Sequence, residues 1–273
     1  MQFERLEDRR LLTLDRSTNG NTDSASLQAA LSPDPSLPFF NNIGQSSTAN
    51  ASVTYLGYGW VMTAAHVVIA NVISGSPGGV TFGGTHYNVD ESTITNLHNA
   101  DNSLADLKVF KMIGDPGLPP LIPSLIDATT AAGRQIMIGN GLSVDLANQQ
   151  YWNVNTTDPN NYVWTSESQP AMPGPNDFSG FNIIGGHSIR WGENDVVPDP
   201  NNPQKAYEQY VHTSDDSQNH PLNIQGYFTQ FDDSTWTGQT PRANEAQASS
   251  GDSGGSVFSL VNGKWELSGI MIA

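Results

Sequence analysis

Short runs of apolar and β-branched residues recur along most of the chain. Glycine, asparagine and aspartate separate the runs, and no helical period extends beyond a few turns. The runs cover residues 52–56, 59–62, 80–82, 87–89, 107–112, 135–138, 182–184, 188–191, 226–231, 255–260 and 265–272. This pattern predicts antiparallel β-structure and therefore an all-β fold.

Two polar or Pro-rich segments interrupt the pattern and predict how the chain is organised. Residues 1–42 combine a charged opening with a stretch rich in Ser, Asn, Asp and Pro, which is typical of a linker or of an extension that is ordered on contact. A Pro-rich bridge at 115–132 then separates a first set of strands, 43–114, from a second set, 133–273. Two β lobes joined by a bridge are the simplest arrangement of these sets.

The segment 145–244 is dense in Asn, Asp, Pro and Trp, which predicts long loops or insertions in the second lobe. Its acidic groups do not follow the spaced oxygen ladder of an EF-hand loop, so we interpret them as solvated turns rather than as a calcium site. These groups are Glu193–Asp195, Asp199 and Asp215–Asp216. We expect neither a metal nor a cofactor.

Composition excludes several classes of protein. The chain has 273 residues, of which 37% are apolar, so it can bury a substantial core. A net charge of -16 is badly suited to binding nucleic acid or anionic membranes. The absence of cysteine excludes disulfides, thiolate metal sites and a cysteine nucleophile. The most apolar stretch, 60–73, is too short and too polar for a membrane span.

Three segments supply the residue types needed for nucleophilic catalysis by serine: 59–68, 105–112 and 250–258. A serine hydroxyl is a weak nucleophile unless an imidazole takes its proton, and the imidazole needs a carboxylate to fix its tautomer. His66, Asp106 and Ser253 provide these groups in that order. Gly251 and its neighbouring glycines allow a sharp turn in which the Gly251 and Ser253 amides can face one oxyanion.

Other hydrolytic templates fit poorly. The motif Gly251–Gly255 also satisfies G-x-S-x-G, but the α/β-hydrolase elbow needs a later histidine, and none follows Ser253. Asp252 begins an Asp-Ser-Gly triplet like that of aspartic proteases, yet no second Asp-Ser/Thr-Gly occurs. No His-Glu-x-x-His motif supports a zinc hydrolase.

The segments Thr63–His66 and Gly251–Gly255 resemble the hallmark motifs of the chymotrypsin-like (trypsin-like) serine proteases, and the resemblance extends over residues 53–273. It implies an all-β fold of two antiparallel six-stranded β-barrels, the second with long insertions and truncated at its C-terminus. It also implies a serine endopeptidase in which His66 is the general base, Asp106 the orienting carboxylate and Ser253 the nucleophile. The Gly251 and Ser253 amides would form the oxyanion hole.

Within the resemblance, some assignments have rivals. Asp106 is favoured over Asp101 and Asp90 because it alone directly precedes a strand with the family's alternation. Asp252 is expected to hold the oxyanion loop. By the family's spacing, Gln247 forms the floor of the substrate pocket, which predicts cleavage after neutral residues, although Glu245 would take this place if the loop register differed.

The sequence also departs from the family. His66 and Asp106 are 40 residues apart, whereas 147 residues separate Asp106 from Ser253. Ile272 stands where many animal members have a serine that touches the catalytic carboxylate, and no Ile-Val-Gly-Gly-type start precedes the first lobe. Because the sequence stops at Ala273, within a strand expected to line the substrate cleft, we expect the natural product to be longer or this edge to be covered.

Function and location follow as expectations. The partner implied is a polypeptide substrate, with two alternatives left open: a non-catalytic binding or surface module on the protease fold, and an esterase on the same fold. Residues 3–12 resemble a short N-terminal signature of large exported or surface proteins of environmental bacteria, which implies a secreted or surface location.

Overall fold

The computed structural model describes residues 39–69, 78–121, 123–124, 133–155, 157, 163–170, 172, 174–199, 201–206, 208–215, 220–229, 231–232 and 242–272. Within these ranges the chain forms β-strands and a short 3-10 helix at Phe39–Asn42, which confirms the all-β prediction. The strands of the first half are β1 (Ile43–Ser46), β2 (Ser52–Gly57), β3 (Trp60–Thr63), β4 (Val80–Phe82), β5 (Thr85–Tyr87), β6 (Val89–His98) and β7 (Leu104–Met112). Those of the second half are β8 (Arg134–Gly139), β9 (Leu142–Asn155), β10 (Val163–Glu167), β11 (Asp177–His187), β12 (Arg190–Asp195), β13 (Pro198–Asp199), β14 (Asn202–Ala206), β15 (Glu208–Asp215), β16 (Pro221–Tyr227), β17 (Ser256–Val261) and β18 (Lys264–Ile270).

The first-half strands belong to one nine-stranded sheet in the order β15-β16-β7-β3-β2-β1-β4-β5, with β6 also paired to β7. Neighbouring first-half strands are antiparallel, so short turns connect most of them. The hairpin β15–β16 comes from the second half of the sequence. Its strand β16 runs parallel to β7 at the pair Asn223–Ala105. Part of the inserted region is therefore built into the sheet of the first half.

The second half contributes a four-stranded sheet, β12-β8-β17-β18, and a three-stranded sheet, β10-β9-β11. Strands β13 and β14 form a further pair. Most of the described part of segment 145–244 is strand, so of the two predicted alternatives, long loops or insertions, the structure favours insertions. The sequence pattern predicted only some of these strands, because the polar residues of the others lie on partly exposed ladders, where burial does not require a regular apolar alternation.

Among the described residues, the two larger of three apolar clusters form the main cores. One lies inside the first sheet and includes Val53, Tyr55, Val61 and Phe110. The other lies against the four-stranded sheet and includes Ile136, Trp191 and Phe258. Phe39 joins this second core and stacks on Phe258, with 4.0 Å between the ring centroids and 4° between the ring planes. The end of the predicted linker is therefore part of the folded structure.

The prediction that the acidic run Glu193–Asp195 is a solvated turn is wrong, because this run is part of β12. Glu193 is buried and accepts a hydrogen bond from the Arg134 Nε at 2.7 Å. The Asp195 carboxylate binds the Arg242 guanidinium through two hydrogen bonds of 2.8 and 2.6 Å. Because Glu193 has a cationic partner, its carboxylate can be buried, whereas the paired Asp195 carboxylate stays partly exposed.

Some expectations fall outside the described residues. They concern the N-terminal signature at 3–12, nearly all of the linker, and the side chains of Asp199, Asp215 and Asp216. Among the residues that are described, no helix has the length and apolar character that a membrane span requires.

Candidate active site

Strands β3 and β7 bring His66 and Asp106 together. They pair antiparallel, with Thr63 opposite Lys108, so the turn that follows β3 lies beside the start of β7. The Asp106 carboxylate accepts the His66 backbone N–H on Oδ1 at 2.9 Å and contacts the ring Nδ1 with Oδ2 at 2.8 Å. An ionised carboxylate can only accept, so Nδ1 carries the ring proton and Nε2 of the neutral ring keeps its lone pair. This is the tautomer that a general base needs.

The Asp106 side chain is fully buried, and its surroundings favour the ionised form. Burial raises the pKa of Asp106. The hydrogen bond from the His66 ring, the positive charge that this ring can carry, and hydrogen bonds from the Thr213 hydroxyl and the His66 N–H together lower the pKa more. The net result is a pKa below the ordinary value, so Asp106 stays a carboxylate at neutral pH.

Lys108 fixes the backbone on both sides of His66. Its buried Nζ donates to the carbonyl of Ala65 at 2.8 Å and to that of Val67 at 2.5 Å. Burial lowers the pKa of Lys108 to about 8, and the nearby Asp106 charge partly opposes this shift. Sequence reasoning missed this residue. The available signal was the two-residue spacing from Asp106, which places both side chains on one face of β7.

The loop that carries Ser253 rests on the first sheet. The carbonyl of Gly251 accepts hydrogen bonds from the N–H and the hydroxyl of Ser52, both at 2.9 Å. The carbonyl of Gly254 accepts one from the Thr54 hydroxyl at 2.9 Å. These contacts hold buried Ser253 where the first sheet meets the loop before β17, next to Thr63 of β3, the strand that leads to His66.

Two glycines of this loop are required by geometry. Gly254 has a φ of 86°, and a Cβ there would lie 2.1 Å from the Thr63 Oγ1. Gly251 has a φ of 93°, and a Cβ there would lie 2.8 Å from the ring of His187. The Nδ1–H of His187 donates to the Asn140 carbonyl at 2.9 Å, so this ring is held beside the loop. Sequence reasoning did not single out His187, because it is far from the motif in the chain.

Hydrogen bonds also set the direction of the two candidate oxyanion amides. In a planar trans peptide, the carbonyl and the following N–H point to opposite sides. The carbonyl of Ser250 accepts the first N–H of β9 at 3.1 Å, which turns the Gly251 N–H away from that strand. The carbonyl of Asp252 accepts the Gly255 N–H at 2.8 Å, which likewise orients the Ser253 N–H. Both amides are therefore oriented before any ligand arrives, as electrostatic stabilisation of an oxyanion requires.

Residues 244–247 are held against β12 by hydrogen bonds. The Ala246 N–H donates to the Glu193 carbonyl at 2.9 Å, and the Asn194 side chain donates to the Ala246 carbonyl at 2.7 Å. Gln247 is half-buried, and its Oε1 lies 3.4 Å from the Thr229 hydroxyl. The side chain expected at the pocket floor is thus neutral and held by neutral polar groups.

Glu245 points into its own loop. Its two carboxylate oxygens accept the backbone N–H groups of Asp232 at 3.2 Å and Arg242 at 2.8 Å. Burial raises the pKa of Glu245 to about 7, although these two hydrogen bonds oppose the rise. A carboxylate engaged in this way serves the loop rather than an open pocket.

The rival aspartates have local partners. The Oδ1 of Asp101 accepts the N–H and the hydroxyl of Ser103, and Asp90 binds Ser92 in the same manner. Asp252 is buried, and its Oδ2 accepts the Ser249 N–H at 3.0 Å, as a residue that holds the loop would do. Across the described part of the chain, no group of three or more acidic or histidine side chains could hold a metal ion.

Comparison with known proteins gives a distant structural likeness. No protein-family model matches the chain, and no curated protein matches it. Two crystal structures of the Rv3671c protease of M. tuberculosis are similar in structure at 14% sequence identity. The inactive form has a TM-score of 0.42, with 92% of this chain and 84% of that chain covered. The active form has a TM-score of 0.41, with 99% and 82% covered. Similarity at this level does not identify the reaction.

Proposed function

We propose that the protein is a serine endopeptidase that cleaves peptide bonds through Ser253, His66 and Asp106. The observation that supports this most is the double hydrogen bond from His66 to the buried Asp106 carboxylate. It holds the imidazole as a base, next to the junction where the loop of Ser253 rests on the first sheet. A buried carboxylate is costly unless it has such partners, and here the partner is a ring suited to proton transfer.

The proposed reaction has two halves. In the first, His66 takes the hydroxyl proton as the Ser253 Oγ bonds to the substrate carbonyl carbon, and the Gly251 and Ser253 amides bind the resulting oxyanion. His66 then passes the proton to the leaving amine as the C–N bond breaks. In the second half, water attacks the acyl-enzyme with His66 again as base, and the free acid and Ser253 are released.

The decisive experiment is covalent labelling by a fluorophosphonate probe. Wild-type protein should label, and Ser253→Ala and His66→Ala should each lose labelling. Loss of a triad member typically lowers turnover by about four to six orders of magnitude. Ser92→Ala and His86→Ala are matched controls, because both side chains are exposed and hydrogen-bond to residues outside the proposed triad, Asp90 and Ser47. They should label like the wild type. Equal labelling of wild type and Ser253→Ala would refute the proposal.

The alternative functions make different predictions in the same experiment. A non-catalytic module would not label at all. An esterase would label through Ser253 but turn over aryl esters and leave peptides intact. We further propose an exported location, which rests on residues 3–12 alone. Separating cells from culture medium and blotting each fraction tests it, and protein confined to the cytoplasm would contradict it.

A further inference from the structure

The hairpin β15–β16 places a hydroxyl on the buried carboxylate of the candidate triad. The Thr213 hydroxyl, in β15, lies close enough to the Asp106 carboxylate to act as a hydrogen-bond donor that lowers its pKa. Thr213 follows Asp106 by more than a hundred residues and belongs to the inserted region, which none of the three motifs includes. The side chain is half-buried, as expected for a residue that covers the edge of a site.

Three contacts bring the hairpin to this position. Asn223 of β16 pairs in parallel with Ala105, the residue directly before Asp106. The side-chain amide of Asn99 donates to the Asn223 carbonyl at 3.1 Å, which ties β16 to the turn before β7. Leu222 is fully buried and anchors the same strand. The hairpin is therefore attached at the point where Asp106 enters the sheet.

A β-bulge directs the Thr213 side chain. In the ladder of the hairpin, His212 pairs with Asn223 and Ser214 pairs with Leu222, which leaves Thr213 as an extra residue between them. Such an insertion breaks the regular alternation and re-aims the side chain. The Thr213 Oγ1 also lies 3.1 Å from the Leu222 carbonyl. Its single proton therefore has two acceptors within reach, this carbonyl and the Asp106 carboxylate, and hydrogen bonds to charged acceptors are in general the stronger ones.

We propose that Thr213 is a positioning residue that holds the Asp106 carboxylate in place for His66, and that the inserted hairpin serves to supply it. This inference rests on the proposed function. With Oδ1 on the His66 backbone and Oδ2 on the ring, a further donor limits rotation of the carboxylate about its Cβ–Cγ bond. Ile272 offers no hydroxyl, and its side chain instead packs on the core of the first sheet.

The test compares Thr213→Val, Thr213→Ser and wild type for hydrolysis of a peptide substrate. Valine has nearly the same shape without the hydroxyl, so we expect kcat to fall about tenfold or more with KM unchanged. Serine keeps the hydroxyl and should restore most of kcat. If Thr213 had only a general structural role, Thr213→Val would not lower kcat alone with KM unchanged, and Thr213→Ser would not restore kcat. Thr95→Val, the same change at an exposed position on β6, is the control and should leave both constants unchanged.

The outcomes separate this proposal from the one on which it depends. If wild type shows no Ser253-dependent labelling, the proposed function fails. If wild type labels but Thr213→Val retains full kcat, only the role of Thr213 is overturned. Melting temperatures are measured for every variant, and Thr213→Ala replaces the valine variant if the latter unfolds. An alanine variant that folds and keeps wild-type kcat would likewise overturn the role.

Discussion

Asp106 binds His66 twice, once through the backbone N–H and once through the ring Nδ1. The first contact fixes where the residue sits and the second fixes how its ring is turned. A single side chain in β7 therefore sets both the position and the tautomer of the proposed base. The carboxylate is itself held by its burial and by its other donors.

This double contact predicts the effect of Asp106→Asn. The amide oxygen can still accept the His66 N–H, but the amide NH2 would face a ring nitrogen that now carries a proton, so the ring must adopt the other tautomer. We expect the rate of fluorophosphonate labelling to fall about ten-thousandfold while the fold persists. Asp101→Asn is the matched control, because that exposed carboxylate binds only its own turn. A labelling rate near that of wild type in Asp106→Asn would contradict the role of this carboxylate.

Gly254 and Gly263 form a matched pair for the loop. Both have positive φ, 86° and 78°, so alanine at either position is strained by about 1–2 kcal/mol. At Gly263 nothing lies within 4 Å of an added Cβ, whereas at Gly254 the Thr63 Oγ1 lies at 2.1 Å. We therefore expect Gly254→Ala to lose more stability in urea unfolding and to lose labelling, and Gly263→Ala to keep labelling. Equal losses in the two variants would show that the contact with Thr63 does not matter.

Glu245 predicts a dependence of stability on pH. Its pKa in the folded protein is raised from 4.5 to about 7, so the folded state binds this proton more tightly than the unfolded state does. The resulting stabilisation is complete below about pH 4.5 and is lost as pH rises through 7. Relative to wild type, Glu245→Gln should therefore gain about 1–3 kcal/mol between pH 5 and pH 8.

Urea unfolding at both pH values measures this difference. Glu91→Gln is the control, since Glu91 is exposed on β6 and should show no such gain. If the difference between Glu245→Gln and wild type is the same at pH 5 and pH 8, the carboxyl does not titrate in this range.

Gln247 predicts the specificity of cleavage. A neutral amide held by Thr229 gives a buried cation no partner, and such burial costs several kcal/mol. We expect cleavage after neutral, small or medium apolar residues, with Arg and Lys substrates at least about tenfold slower, a difference of about 1.4 kcal/mol. A peptide-library digest read by mass spectrometry measures this preference.

Two variants identify the residue responsible for specificity. Gln247→Glu should increase cleavage after Arg and Lys. Glu245→Gln should leave the preference unchanged, because that carboxylate already binds two backbone amides. Dominant cuts after Arg or Lys in wild type that disappear in Glu245→Gln would show that Glu245 forms the pocket floor instead.

The sequence predicted those features of the fold and the candidate site that depend on local patterns of residues. The strands next to His66 and Ser253 were predicted nearly to their observed ends, because glycines and apolar runs define them. Strand β7 begins at Leu104, before the predicted start at 107, so Asp106 lies within the strand and not directly before it. Lys108 and Thr213 were not predicted, because their partners are set by register and by a hairpin from a distant part of the chain. Glu193 was misinterpreted for a similar reason. A carboxylate in a sequence normally predicts exposure to solvent, and only the folded structure brings the Arg134 side chain to the Glu193 carboxylate.

The loop contacts described above join residues that are synthesised far apart in time. Ser52 and Gly251 are 199 positions apart, and Thr54 and Gly254 are 200 apart. Chains dominated by such distant contacts fold slowly, because loop closure must precede any gain from the contact. A nascent chain that has emerged only as far as β12 therefore lacks both the nucleophile and the hairpin that supports Asp106. Under the proposed function, the growing polypeptide therefore cannot cleave peptide bonds until residues 250–258 have been synthesised and folded.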